Sequence, residues 1–171
     1  MILPMRRWVR IKEHETGKWS HFTRRIEQIL HTTIVVDGAA KGNVQIFNPL
    51  VNGLQIVTQR GFDVQFLQQF EIVQADEPSA CGRAFRLRRT VMISDITVDR
   101  SYQPYLSIAE SSGYRAVQST PILKSDDSVI GVLSTHFPHT HLWSKEAERV
   151  LDEYASKIGD AITQLIESAV V

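Results

Sequence analysis

Among the 171 residues there is a single cysteine, Cys81. No internal disulfide can form, which excludes a disulfide-built secreted fold and fits a reducing cytosol. No apolar run approaches the roughly 18 residues of a membrane-spanning helix. Neither charge is in excess, with 19 basic and 19 acidic residues, so no global attraction to nucleic acid or anionic lipid follows. The sequence lacks a Walker-type phosphate loop, a Gly-rich dinucleotide turn and a metalloprotease His-Glu-x-x-His run. It has no cysteine pair to hold zinc. Internal repeats, low-complexity tracts and Pro/Gly/Ser linkers are also missing. The expectation is a cytoplasmic protein with neither nucleic acid nor membrane as partner. Residues 1–19 carry early arginines but no apolar stretch after them, so they read as an N-terminal lead, not a signal peptide. Residues 20–171 suffice for one domain with a sizeable core.

What is present is an alternation of helical and strand patterns. Phe22, Ile26, Ile29 and Leu30 recur at helical spacing after Ser20, an N-cap candidate, and predict a helix to about residue 37. Its β-branched end, TTIVV, favours a strand on propensity alone. GNVQIF and GLQIVTQR alternate apolar and polar residues around the turn-rich NPLVNG and predict a hairpin. Asp63 caps a short helix, DVQFLQQF. Pro78 opens another, PSACGRAFRLRR. TVMISDI reads as a strand, and SYQPYLSIAESSG as a helix ended by Gly113. GYRAVQSTPIL and GVLSTHF form a second hairpin across KSDDS. Ser144 then caps a long helix in which Ala147, Val150, Leu151, Tyr154, Ile158, Ala161, Ile162, Leu165 and Ile166 keep a 3–4 spacing. That stripe serves a core, a dimer seam, or both. The order is α+β and predicts an antiparallel sheet with helices on its faces.

Four clusters are chemically suggestive. His136, His139 and His141 suit a divalent metal or simply a polar loop, and no carboxylate or cysteine is interleaved. Arg83, Arg86, Arg88 and Arg89 suit an anion, or complement a helix C-terminus. Cys81 lies near a helix start, where a thiol pKa can fall, but no histidine is near it in sequence. Tyr102 and Tyr105 flank Pro104, with Ile108 a turn on; such aromatics wall a pocket or edge a core.

The run ACGRAFRLRRTVMISDITVDRSYQPYLSIAESSGYRAVQSTPILKSDDSVIGVLSTHF resembles the central and C-terminal part of a GAF domain. It is most similar to the GAF modules of bacterial sensor histidine kinases. There a helix with Cys-Gly-x-Ala leads to a strand and an Asp. A Pro-containing helix follows, then R-x-V-Q-S-T-P-L, then G-x-L-S-T-H-F. GNVQIFNP and GLQIVTQRGF resemble the family's first hairpin, and the likeness spans about residues 20–168. It implies a GAF-like central antiparallel sheet of five to six strands. The N- and C-terminal helices would lie on one face, and short helices and loops over a pocket on the other. The cyclic-nucleotide signature of some GAF domains is missing. The helix at 101–112 has no cysteine to attach a bilin. One cysteine cannot complete a thiol–disulfide cycle alone.

Strand alternation divides the second hairpin into two faces. A two- or four-residue loop centred on Asp126-Asp127 sets Ser119 opposite Ser134 and Val117 opposite His136, on one face. Ala116, Gln118, Thr120, Leu133 and Thr135 then take the other. One extra loop residue would change this register. By analogy with GAF pockets, the ligand-facing set is Phe47, Tyr102, Tyr105, Ile108, Val117, Ser119, Ser134 and His136, with no catalytic residue, metal or cofactor. The opposing expectation is that these hydroxyls bond one another or buried water. The resemblance implies a non-catalytic sensor or regulatory module in bacterial signal transduction. It would bind a small molecule or partner protein, a histidine kinase for example, and signal through terminal helices that also form a homodimer. Because no output domain fits in this length, output would run through a partner in trans. The alternatives are a reductase of the GAF-type methionine sulfoxide kind using Cys81, and a ligand-free dimerisation adaptor.

Overall fold

A computed structural model describes residues 16–168. Most of the expected lead, residues 1–15, and residues 169–171 lie outside the described residues. The first helix, α1, runs Thr16–Asp37. It therefore starts inside the expected lead, and Ser20 is not its cap: Ser20 is a helical residue whose carbonyl accepts from Arg24 Nε at 3.2 Å. The β-branched last turn stays helical against its propensity because Thr33 and Ile34 are buried there. The Thr32 and Thr33 hydroxyls also donate to the carbonyls of Gln28 and Ile29 at 2.9 and 2.8 Å. Gly38, at φ +69°, ends the helix in the left-handed conformation that glycine adopts without strain.

The first hairpin is β1 (Lys41–Asn48) with β2 (Gly53–Arg60). The short helix α2 (Val64–Gln69) follows, and the Asp63 side chain caps it by accepting from the Phe66 N–H. A two-residue strand, β3 (Val73–Gln74), which the sequence pattern did not reveal, pairs with the start of β2. Helix α3 (Ala80–Leu87) is capped by Ser79, whose side chain accepts from the Gly82 N–H, so Pro78 precedes the cap and does not open the helix. Then come β4 (Val91–Ile93), a 3₁₀ turn at Arg100–Tyr105 and α4 (Leu106–Ser111). The second hairpin, β5 (Ala116–Leu123) and β6 (Val129–Phe137), leads to α5 (Lys145–Ser168). The Ser144 hydroxyl caps α5 by accepting from the Ala147 N–H at 3.1 Å.

The six strands form one antiparallel sheet in the order β3-β2-β1-β6-β5-β4. In the central hairpin Ser119 pairs with Ser134 and Val117 with His136, the pairing expected from the sequence. The connecting loop is five residues long, Lys124–Ser128, and not two or four. A one-residue shift between Ile122 and Leu123 absorbs the odd residue and keeps every side chain on its face.

Two cores sandwich the sheet. On one face α1 and α5 pack together: Phe22, Ile26, Leu30 and Ile34 meet Val44, Leu133, Ile158 and Ile162. The α5 stripe is thus buried within its own chain through Leu151, Ala155, Ile158, Ala161, Ile162 and Leu165. The fit is close. A Cβ at Gly159 would stand 2.2 Å from the Leu123 carbonyl oxygen. On the other face α2, α3, the 3₁₀ turn and α4 lay an aromatic roof over the sheet. Both sides of the sheet are therefore dry, so any polar side chain on its central strands must find a partner inside the protein.

Candidate functional site

Between sheet and roof lies a small chamber of about 10 Å³, close to the room one water molecule needs. Its floor is the period-2 face of three adjacent strands. β1 contributes Asn43 and Gln45, β6 contributes Ser134 and His136, and β5 contributes Val117 and Ser119. Its roof is Phe66 and Phe70 from around α2, Ser79, Ala80 and Cys81 from the start of α3, and Tyr102. Antiparallel pairing fixes the floor, with Asn43 opposite Ser134 and Ser134 opposite Ser119.

The floor is polar and largely unsatisfied. The two serine hydroxyls bond each other at 2.8 Å. Asn43 Oδ1, Gln45 Oε1 and His136 Nδ1 are buried without a hydrogen-bond partner, and their residues are 3, 1 and 4% exposed. Each such atom costs about 1–3 kcal/mol if nothing meets it.

The chamber is also uncharged. Burial, and then the Lys41 ammonium, push the His136 imidazole down to about 3, so it is neutral at ordinary pH. Burial raises the Cys81 thiol against the opposing help of Ser79, whose Oγ is 3.4 Å from Sγ. Burial likewise holds Tyr102 well above its usual value; its hydroxyl lies 3.1 Å from that of Tyr114. The His136 ring is held edge-on by Phe62, Phe66 and Tyr114, with centroids 4.9, 5.8 and 4.7 Å away.

Of the eight residues the sequence nominated, Tyr102, Val117, Ser119, Ser134 and His136 line this chamber. The other three do not. Phe47 is on the right sheet face but lies beyond the chamber, stacked on Phe85 at 4.8 Å. Tyr105 packs on Phe70 and donates its hydroxyl to Glu77 Oε2 at 3.0 Å. Ile108 is half-buried against the roof core. The sequence reading missed Asn43 and Gln45, although GNVQIF carries the same signal as the second hairpin: polar residues two apart on one strand face.

The histidine trio does not converge, because His136 faces the chamber while His141 stacks on Phe137 at 3.9 Å. Among the described residues no group of three or more His, Cys, Asp or Glu could hold a metal. The arginines also disperse. Arg83 pairs with Asp99 at 2.8 Å, and Arg88, left-handed at φ +56°, donates to the Asp127 carbonyl. Two open clefts, about 690 and 540 Å³, flank Arg88 and carry both signs of charge. They hold none of the unpartnered buried atoms.

The fold has many known counterparts. A domain from Sinorhizobium meliloti, assigned to a two-component sensor histidine kinase, matches at 14% identity and TM-score 0.65, covering 81% of this chain and 88% of that one. The PixJ GAF domain of Thermosynechococcus elongatus, in its blue-light-absorbing form, matches at 15% identity and TM-score 0.70, covering 92 and 95%. The free methionine-R-sulfoxide reductase of Neisseria meningitidis, in complex with its substrate, matches at 19% identity and TM-score 0.66, covering 85 and 82%. At such identities these likenesses speak for the fold alone. No curated protein sequence matches. The GAF domain family model matches residues 20–162, and with the sheet order, the paired terminal helices and the roofed chamber, the chain belongs to the GAF domain family.

Proposed function

We propose that this GAF domain is a non-catalytic signalling module that senses a small molecule in the chamber and reports through α1 and α5. The observation that carries the reading is the set of three unpartnered polar atoms, on Asn43, Gln45 and His136, around one buried chamber. A ligand that met them would favour one arrangement of the sheet, and strand alternation passes that preference to the helix face. The route is physical. Next to His136, the Thr135 hydroxyl lies within hydrogen-bond distance of Asp37 Oδ2 at the end of α1 and of Gln118 Oε1, at 2.7 and 3.0 Å, with one proton shared between them. Gln118 donates to Thr120, whose hydroxyl lies 3.1 Å from that of Thr90, and Thr90 donates to Asp152 of α5 at 3.3 Å. Native mass spectrometry of freshly purified protein, followed by thermal shift against metabolites, tests the reading. A bound ligand raises Tm by mass action; no co-purified molecule and no stabiliser would leave a pure interaction module. The proposal includes a cytoplasmic place in bacterial two-component signalling, a partner such as a histidine kinase, and pairing of two copies through the terminal helices. Sedimentation at rising concentration checks that pairing, and a monomer throughout removes it.

A second reading has one observation in its favour: Cys81 is in the chamber wall. Burial raises its thiol pKa, the opposite of what a nucleophile needs. Methionine sulfoxide turnover by the wild type, abolished in Cys81→Ser, would establish the reductase; no turnover eliminates it.

A further inference from the structure

The chain has three asparagines, Asn43, Asn48 and Asn52, all within the first hairpin. They differ in the one reaction an asparagine undergoes unaided, attack of the next backbone nitrogen on its own side-chain amide. Asn48 precedes Pro49, whose nitrogen has no proton to lose. Its amide is also tied at both ends: Nδ2 donates to Gln55 Oε1 at 2.6 Å, and Oδ1 accepts from the Leu50 N–H at 2.9 Å. Asn43 is 3% exposed and precedes the β-branched, fully buried Val44, which pairs with Thr58 on one side and Leu133 on the other. Asn52 is different on every count. It is exposed at the hairpin tip, in the left-handed conformation at φ +49°. Its side chain has no hydrogen-bond partner among the described residues. It precedes Gly53, and the missing side chain leaves the attacking nitrogen unshielded. Gly53 itself is buried at the closing pair with Asn48, so attack waits on opening of the tip. Its neighbours there, Leu50 and Val51, are exposed and do little to hold it shut.

We infer that Asn52-Gly53 is a site of spontaneous covalent modification. In the opened tip the deprotonated Gly53 nitrogen bonds to Asn52 Cγ and ammonia leaves, closing a succinimide. Water then opens the ring at either carbonyl. One opening gives aspartate, and the other gives isoaspartate, which has one more methylene in the main chain. Nothing is oxidised or reduced. The isoaspartate product falls where the fold has no slack. A Cβ at Gly53 would stand 2.6 Å from Ile72 Cγ2 and 3.0 Å from the Val73 carbonyl oxygen. Gly53 also pairs with Asn48 of β1 and Gln74 of β3, and a lengthened backbone cannot keep both pairings. The two-residue β3 is the weaker partner. Its loss reaches the roof, because the Gln74 N–H and the Tyr105 hydroxyl both donate to the Glu77 carboxylate, at 2.8 and 3.0 Å. Either product also adds a carboxylate to the cleft that Asn52 shares with Arg86 and Arg88.

The folded protein is aged in mildly alkaline buffer and its peptides are mapped by mass spectrometry, with the urea-unfolded chain as reference. Isoaspartate is identified by enzymatic methylation. Asn52 is expected to convert in the folded protein, more slowly than in urea and more slowly again in mildly acidic buffer, while Asn43 and Asn48 stay intact. Asn52→Gly, which suits a positive φ and carries no amide, is expected to stay homogeneous. The isoaspartate form, isolated by chromatography, is expected to melt below Asn52→Asp, which carries the same charge without the added methylene. An Asn52 that stays intact in the folded protein while it converts in urea overturns the inference, and so does equal conversion at Asn43. An isoaspartate form that melts with Asn52→Asp overturns the displacement of β3.

Discussion

Acidification is expected to weaken this fold through one side chain, in a window set by that side chain's surroundings. Unfolded, His136 has its ordinary pKa of 6.5; folded, burial and then the Lys41 charge push it down to about 3. Between those values the unfolded chain binds more protons than the folded one, so stability falls as pH falls. Above the window both states are neutral, and below it both are charged, so the contribution is constant at either end. Within it each pH unit changes stability by about 1.4 kcal/mol. From about pH 7 to about pH 4.5 the loss is about 2.5 kcal/mol, a large part of a domain's typical 5–15 kcal/mol. The assay is urea denaturation across pH for the wild type and His136→Gln, which cannot titrate. Carboxylates such as Asp37, raised by burial, and Asp95, lowered by Arg115, titrate in both proteins and cancel in the difference. The expected difference curve is level above about pH 7 and slopes by about 1.4 kcal/mol per unit between about pH 6 and 4. A level difference throughout would refute the argument, because it would mean that His136 is as well hydrated folded as unfolded and the chamber is open to water.

Three further perturbations test the packing around the chamber. Ser119→Ala leaves the buried Ser134 hydroxyl alone and is expected to cost about 1–3 kcal/mol, while the double variant with Ser134→Ala recovers much of it; a double-mutant cycle in urea measures the coupling. Gly159→Ala forces α5 away from the Leu123 carbonyl and is expected to lower stability by about 1–3 kcal/mol, read from thermal unfolding. Ile158→Ala opens a void in the fully buried helix-side core and is expected to cost about 2–5 kcal/mol in the same assay, with the His136 imidazole signal unmoved on the far side of the sheet.

The sequence made the two faces of the central hairpin legible because alternation is a strict local rule, and the loop length mattered less than it first seemed. The five-residue turn would have inverted the pairing had a bulge at Ile122/Leu123 not compensated. The roof was less legible. Tyr102 and Tyr105 look equivalent around Pro104, and a 3₁₀ turn does bring their rings to 5.4 Å. Only Tyr102 reaches the chamber, because α2, distant in sequence, places Phe70 against Tyr105. Phe47 was misplaced for a similar reason: its face was right, but how far along the strand the chamber extends depends on where α3 lands. Asn43 and Gln45 obey the same rule, since alternation along β1 that marks a strand also turns its polar side toward the chamber. The last turn of α1 shows tertiary burial overriding propensity.

The polar residues of the second hairpin are better understood as two half-sites back to back than as one polar strand pair. Ser119, Ser134 and His136 face the chamber, while Gln118, Thr120 and Thr135, one residue away in each case, join α1 to α5 by hydrogen bonds. An apolar strand pair would pack as well and avoid burying these groups. What the polar version adds is directional contact on both faces of the same few residues. A shift of β6 that improves the hydrogen bond to His136 must also move Thr135 relative to Asp37 and Gln118. The proposed coupling therefore requires no long chain of intermediates, only the rigidity of one strand. It makes a distinct demand: a change at the chamber, His136→Gln, is expected to shift the Asp37 carboxyl signal, and Thr135→Val, which keeps the shape and removes the hydroxyl, is expected to cancel that shift. The readout is the carboxyl ¹³C shift of Asp37 with and without His136→Gln, in the wild-type and Thr135→Val backgrounds. A response of Asp37 that persists unchanged in Thr135→Val would refute this route between chamber and helices.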